Sequence, residues 1–282
     1  MEKWKVEKEE SGLKLLKFLK TKHESYSLKQ LKRFLEENLC AINGITERFA
    51  TAIVHKGDLV TFNLPELKEI KITTHTFLKN RILYEDDELF IYNKPSGITS
   101  DSFKTNLNLI HRLDRDTTGV LMFAKGEAIL EEMIKLFRQH MVRKIYLAIV
   151  DGAPKQTSGL IDNYLGKKHS YEGQAIWGSV SEAKGLHAIT EWKVEKLGKN
   201  MSLLKVYPKT GRTHQIRVHL AGIKLPILGD YQYCRTFNCS YQPKRCLLHA
   251  FKVLFFHPVK KSKMEVMAPM PPDFHLALNE MK

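Results

Sequence analysis

The chain is 282 residues long and sets 45 Lys and Arg against 31 Asp and Glu, a formal charge of +14 that predicts a polyanionic partner, because cations that neutralise phosphates release condensed counterions. A membrane surface fits less well, since no segment joins a basic face to bulky aromatic anchors and no apolar run approaches the ~18 residues of a span. The length suits one large and one small domain, and the charged start from Met1 to Glu7 holds no apolar leader core, so a soluble cytoplasmic protein is expected.

Leu13 to Lys20 predicts a first helix, with Leu13, Leu16 and Lys17 at helical spacing and Lys14 and Lys20 outside. Ser27 is a candidate N-cap for a second helix. Its Leu28, Leu31 and Leu35 form an apolar stripe, and Lys29, Lys32 and Arg33 form a basic one opposite. Asn43-Gly44 predicts a tight turn after Ala41-Ile42, and Lys56-Gly57-Asp58 turns the chain into an alternating strand from Leu59 to Phe62. By composition alone the basic stripe is a solvated helix face. This arrangement resembles the alpha-L RNA-binding domain, matched by Ser27 to Lys32, by Ile42-Asn43-Gly44 and by Gly57-Asp58. The resemblance implies that Lys29, Lys32 and Arg33 contact RNA. The unit is expected over residues 1–66, closed by Leu64-Pro65, with a linker over 67–81 that contains Ile70-Lys71-Ile72.

Beyond it, Ile82 to Lys94 reads as a hairpin whose acidic turn is Glu85 to Glu88, and Pro95 with Gly97 ends its second strand. Leu109 to Gly119 crowds Asp114 and Asp116 among Arg112 and Arg115, then runs into the apolar strand Val120 to Ala124. A charged turn abutting a buried strand can hold a reactive side chain at a pocket edge, although a solvated loop would read the same. A helix follows with Ile129, Met133, Leu136 and Phe137 inward, then a strand from Lys144 to Val150 on which Lys144, Tyr146 and Ala148 share a face. Gln156 to Gly185 carries little periodicity and is expected to form variable loops, before strands at Ala188 to Val194 and Leu203 to Tyr207. Thr213 is expected to cap a helix that Gly222 terminates, with Ile216, Leu220 and Ile223 on its inward face. Cys40, Cys234, Cys239 and Cys246 form no C-x-x-C pair, which points to reduced thiols. His214 and His219 lie five apart, which does not suit two ligands on one helix face, so no metal site is expected.

The run His111-Arg112-Leu113-Asp114-Arg115 with Thr117-Thr118-Gly119 resembles the signature of the RluA family of pseudouridine synthases. The same resemblance covers Asn93-Lys94-Pro95-Ser96-Gly97, the Lys144 to Gly152 strand, and Thr210 to Ala221. It continues through Leu225 to Asp230, Leu247 to Ala250 and Ala268 to Phe274. Ser100-Asp101 stands where the family commonly has a His-Pro, and Tyr233 to Cys246 is less typical of it.

The resemblance implies an α+β fold, a mixed and mainly antiparallel sheet over residues 82–282 behind the small N-terminal domain. It implies an isomerase that breaks the bond between ribose and uracil N1, turns the bound base and rejoins it through C5. Such chemistry needs an ionised carboxylate, an arginine to hold it, an aromatic platform and exclusion of water, roles that fall to Asp114, Arg217 and Tyr146. Addition to the sugar, addition to the ring and removal of a ribose proton all remain open to Asp114. Arg112 is expected to occupy the space that a flipped uridine vacates, and Arg115 and Arg212 to contact RNA. No cofactor is expected, the partner is RNA, ribosomal before transfer RNA, and the protein is expected to be a monomer. An RNA-binding assembly factor without catalysis and an RNA nuclease or N-glycosidase are the rival readings.

Overall fold

The structure, a computed structural model, describes residues 1–63, 75–103, 105–171 and 174–281; Leu64-Pro65 and Ile70-Lys71-Ile72 lie outside the described residues. The first unit carries strands β1 (Glu2–Lys5), β2 (Cys40–Ile42), β3 (Ile45–Thr46) and β4 (Leu59–Phe62) in an antiparallel sheet ordered β1-β4-β2-β3. Helices α1 (Leu15–Lys22) and α2 (Leu28–Glu36) share a core with it, built from Leu15, Phe18, Leu19, Leu31, Phe34, Leu35, Val60 and Phe62. Ser27 caps α2: its Oγ accepts the Gln30 N–H and Gln30 Oε1 accepts the Ser27 N–H, a reciprocal box. Asn43 and Gly44 both take positive φ in the β2–β3 turn, as such a hairpin demands.

Two expectations are corrected here. The first helix begins at Leu15, because Lys14 is extended and bridges to Ile53, so Lys17 is exposed and Leu13 lies outside the helix, while Leu16 is buried as expected beside Leu15, Phe18 and Leu19. Leu28 is likewise on the surface, and Phe34 fills the position beside Leu31 and Leu35. Strand β1 gave no sequence signal because it is a charged edge, paired only with β4.

The second unit is α+β. Its mixed, mainly antiparallel sheet runs through β5 (Ile82–Glu85), β6 (Leu89–Lys94), β7 (Asn108–Leu109), β8 (Thr118–Ala124), β9 (Arg143–Asp151), β10 (Ser158–Tyr171), β11 (Gln174–Val180), β12 (Leu186–Lys196), β13 (Met201–Pro208), β14 (Leu248–Phe256) and β15 (Lys263–Met267). The spatial order is β11-β10-β12-β13-β9-β14-β8-β6-β5, with β15 on β14 and β7 on β8. β14 is inserted between β9 and β8, antiparallel to one and parallel to the other. At the parallel seam Gly119 takes φ +108 and a Cβ there would stand 2.2 Å from the Ala250 carbonyl oxygen, so the close approach requires glycine.

Helix α3 (Glu127–Arg138) buries Met133 and half-buries Ile129, Leu136 and Phe137, the expected face. The expected loops between Gln156 and Gly185 are instead the long ribbon β10–β11. Its periodicity is faint because it lies at the edge of the sheet, where side chains such as Leu160, 61% exposed, need not alternate to fill a core. Helix α4 (Gln215–Gly222) buries Ile216 and Leu220 but leaves Ile223 exposed. His214 in the left-handed region, rather than Thr213, precedes α4, and the left-handed turn after it falls at Lys224, not Gly222. Gln215 stabilises the entry by accepting the Arg212 N–H and the Thr210 hydroxyl, which removes the need for a hydroxyl cap. Helix α5 (Pro272–Asn279) closes the far face through Phe274 and Ala277. Among the described residues no helix is long and apolar enough to cross a membrane.

Candidate active site

Asp114 opens a turn closed by the Thr117 N–H on its carbonyl, just before β8. Three groups fix that turn. Lys94, fully buried at the end of β6, donates to the carbonyls of Pro95, Ile98 and Arg115. Burial lowers its pKa to about 7, and three accepting carbonyls suit the protonated ammonium. Ser100 Oγ accepts the Leu113 N–H and donates to the Leu113 carbonyl, so the departure from the family pattern at this position is itself an anchor. Arg245 donates to the Asp116 carbonyl while Asp273 grips its other face.

Arg217, in the first turn of α4, donates through Nη1 to Asp114 Oδ2 at 3.2 Å. Its Nε and Nη2 make a fork with Asp230 at 2.8 and 2.7 Å, and Nη2 also meets Gln232 at 2.7 Å. Burial opposes the charge, but Asp230 and Asp114 more than offset it, so the pKa lies above the ordinary arginine value. The guanidinium also lies over the Tyr233 ring, 5.0 Å from its centroid. His214 places Nε2 3.9 Å from Asp114 and bonds Tyr233 through Nδ1; burial first, then Arg217, lowers its pKa to about 4 and keeps it neutral.

Tyr146, on β9 between β13 and β14, shares a cavity of about 580 Å³ with Asp114, Arg112, Lys144, Arg212 and Arg217. Burial and then the Asp114 charge raise its hydroxyl pKa, so it stays a neutral phenol. A second cavity, about 320 Å³, adjoins the first and is bounded by Trp177, Gln232 and, from the first unit, Arg48. Asp114 and Arg217 line both. A carboxylate and an aromatic ring thus meet at one opening, with the cation fixed from behind by a buried acid.

The other expected residues distribute differently. Arg112 is exposed at the rim, 3.9 Å from Asp101, and Arg212 donates Nε to the His187 carbonyl while lining the Tyr146 cavity. Arg115 is held by protein: it donates to the Glu36 carbonyl at the end of α2 and to the Asp116 carboxylate, joining the two units. Arg33 pairs with Glu37 along α2, Lys32 lies half-buried on the same helix, and the side chain of Lys29 is outside the described residues. Asp230, Gln232, Tyr233 and Arg48 were not singled out from sequence. Asp230 sits in the matched Leu228-Gly229-Asp230 turn and was within reach of that signal, whereas Arg48 belongs to no motif. Asp86, Glu88 and His257 converge elsewhere at metal-ligand spacing, but the Lys260 ammonium lies 2.5 Å from Asp86 Oδ2, where a metal ion would bind.

A family model described as RNA pseudouridylate synthase matches residues 88–222. A Synechocystis relative carrying the name "Uncharacterized RNA pseudouridine synthase" is 30% identical over 95% of this chain and 88% of its own length. The ribosomal large subunit pseudouridine synthase C of Buchnera aphidicola subsp. Baizongia pistaciae is 33% identical over 79% of this chain and 78% of its own. A solved structure, human RNA Pseudouridylate Synthase Domain Containing 4, superposes with a TM-score of 0.60 at 26% identity, covering 72% of this chain and 93% of that one.

Proposed function

The chain belongs to the RNA pseudouridylate synthase family and isomerises uridine to pseudouridine in RNA, and from that premise we propose that large-subunit ribosomal RNA is its substrate and Asp114 its catalytic carboxylate. The Asp114–Arg217 contact at the mouth of the Tyr146 cavity is the observation that carries the assignment. In the net reaction the C1′–N1 bond breaks, C1′–C5 forms, and the proton leaving C5 is matched by one gained at N1. Arg217 aims the carboxylate, Tyr146 stacks the loose uracil, and the exposed Arg112 fills the gap left in the RNA. The name of the Buchnera relative supports the ribosomal substrate.

Residues 1–66 act as an alpha-L type RNA-binding domain and 82–282 as the catalytic domain, joined by 67–81. The basic α2 face with Lys29, Lys32 and Arg33, and Arg212 beside the cavity, hold RNA backbone, with Arg115 contributing from the seam between the units. The protein works as a cytoplasmic monomer. Asp114→Asn is expected to abolish tritium release from C5-labelled uridine in large-subunit ribosomal RNA while RNA affinity stays within a few-fold. Strand scission or free uracil from the unmodified enzyme, or turnover by Asp114→Asn, would overturn the assignment.

A further inference from the structure

A guanidinium removed from water without a carboxylate against it is costly, because its hydration is lost and nothing in the protein returns it. Arg48 is in that position. It follows β3 on the first unit, is 8% exposed, and its Nε has no hydrogen-bond partner among the described residues. Both neighbours press the loop onto the second unit: Glu47 pairs with Arg235 at 3.0 Å, and Phe49 packs beneath the same guanidinium.

The loop therefore carries Arg48 into the wall of the 320 Å³ cavity beside Asp114, Asp116 and Arg217. Three guanidinia face this space and two are matched by direct partners, Arg217 by Asp230 and Asp114, Arg115 by Asp116 and Glu36. Arg48 feels Asp116 and Asp230 only through space, against repulsion from Arg217 and Arg115. The cavity thus holds a pre-positioned cation whose partner is not a residue of the described chain.

We propose that Arg48 receives a backbone phosphate of the RNA beside the target uridine, so that the N-terminal unit completes the catalytic cavity instead of only tethering the substrate. This rests on RNA entering at Asp114, as proposed above. With uracil in the Tyr146 cavity, the adjoining cavity that holds Arg48 is the neighbouring space open to the sugar-phosphate chain, since Asp114 and Arg217 border both. A phosphodiester has the single negative charge and acceptor oxygens that an unmatched guanidinium requires.

The test uses the full chain and unmodified large-subunit ribosomal RNA transcribed in vitro. Binding is measured against salt for the wild type, Arg48→Met, Arg48→Gln and Arg48→Lys. Each phosphate contact contributes about 0.7–0.9 to the slope of log affinity on log salt. Arg48→Met and Arg48→Gln should lower that slope by about one contact and weaken binding roughly tenfold at ~0.1 M salt, and Arg48→Lys should keep most of both. Without RNA, Arg48→Met should melt at or above the wild-type temperature, because it removes an unmatched buried charge. A wild-type slope in Arg48→Met overturns the proposal, as does equal loss in the Lys and Gln variants, and a lowered melting temperature with the slope kept marks Arg48 as a structural brace. Tritium release on the same RNA is scored separately: a wild type that binds without releasing tritium defeats the substrate assignment, while the slopes still decide Arg48.

Discussion

Five donor protons in a rigid fork make arginine a positioning device, and Arg217 directs most of its fork at Asp230 and Gln232, leaving Nη1 for Asp114. Asp230 is 1% exposed, so it acts as a fixed strut behind the cation. Asp230→Asn is expected to lower the single-turnover rate roughly 100-fold through a small misplacement of Asp114, with RNA affinity within a few-fold. Denaturant unfolding should show a loss of about 3 kcal/mol, because one member of a buried pair is neutralised. Asp114, Arg217 and Tyr146 could be picked out from sequence because each lies in a short local motif. Asp230 lies 13 residues beyond Arg217 in a matched turn and is within reach of the same signal, whereas Arg48 belongs to no motif and lies 66 residues before Asp114, a separation that local patterns do not bridge.

At the level of elements, β8 illustrates what patterning can and cannot convey. Its uninterrupted apolar run announced a strand covered on both sides, and all seven of its residues are buried. The partner strand was not announced, nor the parallel pairing with β14 that leaves no room for a side chain at Gly119. Gly119→Ala would force a methyl group against the Ala250 backbone at a positive φ, so a loss of about 3 kcal/mol or more is expected in denaturant unfolding. Because β8 begins only four residues after Asp114, the same substitution should slow tritium release even at temperatures where the variant remains folded. The ribbon β10–β11 was illegible for the opposite reason: an edge exposed to water imposes no alternation, so its residues read as loop.

Across the whole molecule, buried neutral histidines tie stability to pH. Burial lowers His111, His214 and His249 to about 4 from an ordinary value near 6.5. Between those values the unfolded chain binds protons that the folded one refuses, so the stabilising contribution is complete above pH 6.5 and is lost as the pH falls toward 4. The melting temperature should therefore drop steadily from pH 7 to pH 5, each histidine costing on the order of 1 kcal/mol over that interval; a flat or rising curve would contradict the assignment. The position of β14 carries a consequence for biosynthesis. Residues 248–256 form the keystone between halves made from earlier stretches of chain, with β8 on one flank and β9 on the other. A polypeptide leaving the ribosome must extrude residue 256 before the two halves can lock, so catalytic competence waits on a strand that follows both halves in the chain.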